Sequence, residues 1–297
     1  MDVYDLCGLH LRSPLIVGSG LVTDNERNLR KYLRQGAGAV VTKTIHPRPP
    51  RGNREKVISI ATGWLNSTTY SQRSIEDWLQ ILRRLALERS PVMASIHADC
   101  PSELATLAVR VADTGCQSLE LGISCLNEDE GLIDTPERVA RYTREVRRAV
   151  DLPFSVKLSL GDMLDARVAA AVSEGADAIT LSDTILGVAV EPFTSSIRLG
   201  GAFGYSGPGI KPLVLASIFG LRRSGVTVPI FGSGGVMSAA DCMEYLSVGA
   251  NAVQIYSVLH SSNDAVTQIS TDLSEFLKER AQPLNHVIGS SHLTLED

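Results

Sequence analysis

Cys125, Lys43 and Lys157 stand where a side chain could act on a ligand, and glycine-rich turns at 204–212 and 232–236 could hold one. Cys125 ends the run Ser118-Leu-Glu-Leu-Gly-Ile-Ser-Cys125, an apolar strand passing into a loop. A thiol with an ordinary pKa of about 8.5 can exchange a proton near neutral pH. Taken alone, the same residue reads more plainly as a small buried hydrophobe. Lys43 and Lys157 end the segments Val-Val-Thr-Lys43 and Ser-Val-Lys157. Each by itself could be a lysine that buries its stem and keeps its charge in water. Two of them beside a phosphate cradle favour an anionic or electron-accepting ligand. Val228-Pro-Ile-Phe-Gly-Ser-Gly-Gly-Val236, followed by Ala252-Val-Gln-Ile-Tyr-Ser257, has the order strand, glycine turn, strand, loop. Glycines there would expose backbone N–H groups to a phosphate, although they could also simply make a tight turn. Gly204-Tyr-Ser-Gly-Pro-Gly-Ile-Lys-Pro212 likewise allows close backbone approach to a ligand, or an ordinary loop before a helix.

A degenerate repeat supplies the elements that must position these groups. Gly36-Ala-Gly-Ala-Val40, Gly175-Ala-Asp-Ala-Ile179 and Gly249-Ala-Asn-Ala-Val253 each close a helical stretch and open an apolar strand, with a weaker copy at Gly115-Cys-Gln-Ser-Leu119. Strands are expected at Leu15–Val17, Ala39–Lys43, Val92–Ile96, Ser118–Leu121, Phe154–Leu158, Ala178–Leu181, Pro229–Gly232 and Ala252–Ile255, with helical stretches between them. The strands are short continuous apolar runs, as in a parallel sheet covered on both faces. A doubly wound sheet would show a similar pattern; the count of units and the phosphate turn favour an α/β chain folded as a (β/α)8 TIM barrel. Two connections, His46 to Arg73 with Pro47, Pro49 and Pro50, and Ser182 to Pro208, are long enough to be functional lids or linkers. The whole chain is expected to form one barrel domain, with 283–297 as a flexible tail.

Composition narrows the classes. A hydrophobic content of 44% permits a large core, and a net charge of -5 argues against a nucleic-acid surface. The five cysteines are scattered with no CxxC or other metal-ligand spacing, so neither a disulfide framework nor a metal is expected. No basic-then-apolar leader and no run long enough to span a bilayer are present, so a cytoplasmic protein without membrane contact is expected.

Gly18-Ser-Gly20, Thr42-Lys-Thr44, His46-Pro-Arg-Pro49, Leu65-Asn66, Ile123-Ser-Cys125 with Asn127, Val156-Lys-Leu158, Ser206-Gly-Pro208 with Ile210-Lys-Pro212, and Gly234-Gly-Val236 together resemble the dihydroorotate dehydrogenase family in order and spacing. The family is an FMN-containing barrel related to the pyrimidine-reducing domain of dihydropyrimidine dehydrogenase. The resemblance implies FMN across the barrel mouth. Gly234, Gly235, Tyr256 and Ser257 would hold its phosphate, and Ser206 and Gly207 would also bind the cofactor. Lys43, Thr44 and Lys157 would lie near the ring, and Gly18, Ser19 and Gly20 beneath it. Cys125 would be the catalytic acid–base, with Lys43 beside it, while hydride passes between the neighbouring carbon and the flavin. The substrate would sit among Asn66, Thr68, Tyr70, Gly122, Asn127, Asp183 and Thr184. Related members are often dimers, so a homodimer is expected.

The substrate residues depart from the family. Gly122 and Asp183 stand where asparagines are expected, Leu126 replaces a proline, and the loop after Asn66 reads Ser-Thr-Thr-Tyr-Ser-Gln72. A carboxylate within about 4 Å of a substrate carboxylate would cost about 4 kcal/mol at an effective dielectric near 20. Loss of a donor to a charged group removes roughly another 1.5–3 kcal/mol. The expectation is therefore an FMN-dependent oxidoreductase of CH–CH bonds acting on a small nitrogen-bearing substrate other than dihydroorotate, with Asp183 recognising an amine or N–H, or else turned away onto an arginine. The rivals are an authentic dihydroorotate dehydrogenase, a non-redox phosphate-binding synthase or aldolase working through Lys43 or Lys157, and a barrel kept only for interaction.

Overall fold

A computed structural model describes residues 4–48, 55–127 and 134–294 of the chain. The repeated glycines do what their spacing requires: Gly36, Gly115, Gly175 and Gly249 take φ between 83° and 112°, where a side chain is strained, and each turns a helix end into the next strand.

Eight strands result: β1 (Leu15–Val17), β2 (Ala39–Val41), β3 (Val92–Ile96), β4 (Ser118–Gly122), β5 (Phe154–Leu158), β6 (Ala178–Leu181), β7 (Ile230–Ser233) and β8 (Ala252–Ile255). They pair in parallel, each with its sequence neighbours, and β8 closes on β1. The helices α1 (Glu26–Arg34), α2 (Ile75–Leu87), α3 (Pro101–Ala112), α4 (Pro136–Ala149), α5 (Leu164–Ser173), α6 (Lys211–Arg223), α7 (Ala239–Ser247) and α8 (Ala265–Glu279) alternate with them, which makes the (β/α)8 barrel. Asn25, Ser74, Thr135 and Ser238 accept from an amide three residues on, at the starts of α1, α2, α4 and α7. Each such cap is worth about 1 kcal/mol. β2 stops short of its expected end: the Thr42 amide still donates to the Met93 carbonyl of β3, while the Lys43 amide donates to the Thr23 carbonyl.

Side chains alternate along every strand. Leu119, Leu121, Val156, Ile179 and Val253 face the helices and join the outer core. Ile16, Ala39, Val41, Met93, Ala178, Phe231 and Ala252 face inward and fill the amino end of the barrel. A hairpin of Tyr4–Leu6 and Leu9–Leu11 plugs that end with Leu6, Leu9 and Leu11.

The two long connections form a sheet, which their Pro, Gly and Ser content did not suggest. Ile185–Gly187, Phe203–Ser206, Gly63–Asn66 and Val57–Ile60 pair in that order as four antiparallel strands. Both connections leave the carboxyl ends of barrel strands, so this sheet lies at the carboxyl mouth. Pro49 and Pro50 of the first connection lie outside the described residues. Beyond Gln282, where a loose tail is expected, Leu284–Val287 adds a helical turn that buries Val287.

Candidate active site

The inward positions change character along the strands. At the amino end they are apolar apart from the buried Ser118 and Ser155; two or four residues later they are Lys43, Ser95, His97, Glu120, Lys157, Thr180, Ser182, Ser233 and Gln254. A mostly apolar floor thus carries a polar layer that opens into a pocket of about 1230 Å3, its open mouth included. Of the residues expected from sequence, all but Gly207 line this one pocket.

Lys157 is the electrostatic centre. Its Nζ lies 3.7 Å from Glu120 and 3.9 Å from Asp183. Burial pushes this lysine down, but the charges of Asp183 and Glu120 outweigh it and hold the ammonium above the ordinary lysine range. Glu120 is fully buried and accepts from Thr180 Oγ1 at 3.1 Å and from Gln254 Nε2 at 2.8 Å. Asp183 therefore faces a lysine in the pocket and not an arginine outside it; its Oδ1 also accepts from the Thr184 amide at 2.8 Å. Lys43 is 3% exposed, and burial holds it below the usual lysine value against the pull of Glu55 at 3.9 Å and of Cys125. Cys125 is half-buried in the loop that β4 feeds and lies within electrostatic reach of Lys43.

Asn66 and Asn127 reach the pocket wall with their amides engaged in the protein. Asn127 donates to the Thr68 carbonyl at 2.6 Å and to Asn66 Oδ1 at 3.2 Å, and accepts from the Gly204 amide at 2.9 Å. Asn66 donates to the Gly204 carbonyl at 3.1 Å and accepts from the Thr68 hydroxyl at 2.8 Å. The pair ties the Cys125 loop to the sheet across the mouth.

The glycine turns meet as expected of a cradle. Gly234 and Gly235 have φ of 135° and 68°, and a Cβ on Gly235 would stand 2.5 Å from the Gly207 carbonyl oxygen. Gly207, although not on the pocket surface, thus backs the turn that is. Tyr256 and Ser257 follow β8 on the same side of the mouth. Gly20 packs flat beneath the Tyr256 ring, where a Cβ would come within 2.1 Å. Gly18 lies against Gln254, whose buried Oε1 has no hydrogen-bond partner among the described residues. A planar group with N–H donors and a phosphate tail fits this set: backbone amides for the phosphate, a bare glycine strip, an unspent acceptor, and two lysines.

Sequence reasoning missed Glu120, Gln254 and His97. Their signal was present: Glu120 and Gln254 interrupt apolar strands at inward positions, and His97 continues the same period-two spacing one residue past β3. His97, His46 and Tyr70 form stacked rings, Tyr70 lying 4.7 Å from His46 and 4.8 Å from His97. His46, His97 and Asp99 bring ligand atoms within 4.8 Å of one another, but Asp99 also takes the Arg48 guanidinium at 2.5 Å. That cation already satisfies the carboxylate a metal would need.

Residues 3–277 match the family model described as dihydroorotate dehydrogenase. The chain is 31% identical over 297 residues to the dihydroorotate dehydrogenase B (NAD(+)) catalytic subunit of Methanothermobacter thermautotrophicus, covering 97% of both chains. It is 32% identical over 305 residues to the protein of that name from Maridesulfovibrio salexigens, covering 99% of both. A closed barrel with its polar mouth, and likeness over nearly the full length, place this chain in the dihydroorotate dehydrogenase family, among the FMN-dependent oxidoreductases that act on CH–CH bonds.

Proposed function

We propose that this enzyme interconverts a CH–CH and a C=C bond beside a carbonyl or imine-type group of a small nitrogen-bearing substrate other than dihydroorotate. The observation that carries this reading is the Asp183 carboxylate, held 3.9 Å from Lys157, whose register partner on β4 is a bare Gly122. A substrate carboxylate near Lys157 would meet like charge at Asp183 and no side-chain donor at Gly122. A substrate amine or N–H would be welcomed by the same carboxylate.

Gly234, Gly235, Tyr256, Ser257, Ser206 and Gly207 would hold the FMN phosphate. Gly18, Ser19, Gly20 and Thr44 would seat the ring, with Lys157 and Lys43 supplying positive charge. When bound, the flavin supplies two-electron hydride exchange; the protein orients the partners and handles protons. Cys125 removes or donates the proton at the carbon next to the carbonyl. Lys43, weakly basic for a lysine and close to Cys125, favours the thiolate when charged. The sheet of Gly63–Asn66 and its partners shields the mouth from water.

The relatives named above are catalytic subunits, so a second subunit that exchanges electrons with the flavin is part of this reading. So is a homodimer, for which the exposed apolar segment carrying Leu186, Val188, Val190 and Phe193 offers a contact face. Among the described residues no helix is long and apolar enough to cross a membrane.

The test is direct. Purified protein should be yellow and release FMN on denaturation; it should turn over small unsaturated amides or amino acids faster than dihydroorotate. Colourless protein that takes up no added FMN would sink the reading, and brisk dihydroorotate oxidation would restore the authentic dehydrogenase.

A further inference from the structure

This inference rests on the functional reading above and concerns what shapes the substrate side of the pocket. Gly122 is a glycine the fold does not require. Its φ is not positive, and a Cβ there would meet nothing nearer than His97 Cβ and the Ile96 carbonyl oxygen, both at 3.8 Å. Gly235 is the contrast, with positive φ and a carbonyl oxygen 2.5 Å from its would-be Cβ. The backbone would accept a side chain at 122; its absence leaves room in the mouth.

That room borders His97. β3 and β4 pair Ser95 with Glu120, and two residues further on His97 and Gly122 both line the pocket. His97 Nδ1 donates to the Gly122 carbonyl at 2.8 Å. Its ring stacks on Tyr70 at 4.8 Å with an interplanar angle of 14°, and Tyr70 stacks on His46 at 4.7 Å and 14°. His46 in turn donates through Nε2 to Asp99 at 3.1 Å. All three rings are buried. A hydrogen bond in the ring plane and a stacked ring on its face leave the imidazole one orientation, so it acts as a fixed wall.

We propose that His97 is the specificity-determining residue of this pocket: clamped by the Gly122 carbonyl and the Tyr70 ring, its imidazole closes the side that Gly122 leaves open. The substrate class it selects is a compact planar amide or ring without a carboxylate on that edge. A rigid ring rejects an added substituent by overlap, and relief of that overlap is what its removal should reveal.

Uracil and orotate, which differ by one carboxylate, are the probes. Each is titrated into the FMN-loaded full-length chain and followed by the flavin absorbance. His97→Ala should shift the preference toward orotate by about tenfold or more, with FMN content unchanged. His97→Asn, a smaller side chain able to keep a donor near the Gly122 carbonyl, should shift it in the same direction and serves if the alanine variant fails to fold. A merely structural role would weaken both ligands alike and leave their ratio fixed. An unchanged ratio in flavin-loaded variants, or no response of any variant to either ligand, overturns this inference alone. Failure of the unmodified chain to take up FMN overturns the functional reading and this inference with it.

Discussion

The Asp183 carboxylate lies 3.9 Å from the Lys157 ammonium, inside the barrel mouth and within the carboxyl-end polar layer. Lys157 shares its charge with Glu120 at 3.7 Å, so this cation answers two carboxylates before any substrate arrives. An anionic ligand must compete with both.

Asp183→Asn should therefore bind orotate about tenfold more tightly, an effect kept modest because Asp183 is part exposed and already paired. Gly122→Asn combined with it should bind more tightly still, since Gly122 has a φ that asparagine accepts. Orotate titration against the flavin spectrum measures this. Tight binding by the unmodified protein would contradict the charge argument and leave the fold untouched.

Cys125→Ala should keep its flavin and lose about 10²–10⁴ of steady-state turnover, the range for one general acid–base group. Cys125→Ser should recover part of that loss at high pH if proton abstraction is the slow step. Full turnover in the alanine variant would remove Cys125 from the mechanism.

Thiol labelling should separate the five cysteines. Burial pushes the Cys7 thiol up to about 12, and also raises Cys116 and Cys242. A raised thiol stays protonated until the pH reaches its folded pKa, so these three should resist iodoacetamide at about pH 8. Cys125 and Cys100 should be modified first; Cys7 is half-buried like them, so its raised pKa is what protects it. Mass mapping of the labelled peptides decides it; early labelling of Cys242 would mean that α7 opens in solution.

Asn127→Ala should destabilise the protein by about 2 kcal/mol or more, because it removes hydrogen bonds to Asn66, Thr68 and Gly204 and leaves their partners unpaired. Denaturant midpoints measure the loss. If stability is unchanged while ligand binding alone weakens, Asn127 is a substrate ligand first and a tie between loops second.

The barrel, and the strand ends that carry the candidate site, were legible in the linear chain for a local reason. Helix-capping glycines such as Gly175 and Gly249 and short apolar runs are near-neighbour patterns, and in a parallel barrel each strand pairs with the next unit. Pocket-lining residues at strand ends, Lys43, Lys157 and Gly234 among them, inherit their positions from that regular plan. Three features were decided only in three dimensions. The sheet over the mouth joins Asn66 to Gly204, segments remote in sequence whose Pro, Gly and Ser content hides their strand character. The clamp on His97 depends on Gly122 and Tyr70 from other elements, each unremarkable alone. Asp183 could have turned outward; Lys157, buried beside Glu120, draws it in, because a charge removed from water is stabilised chiefly by the counter-charges that tertiary packing brings to it.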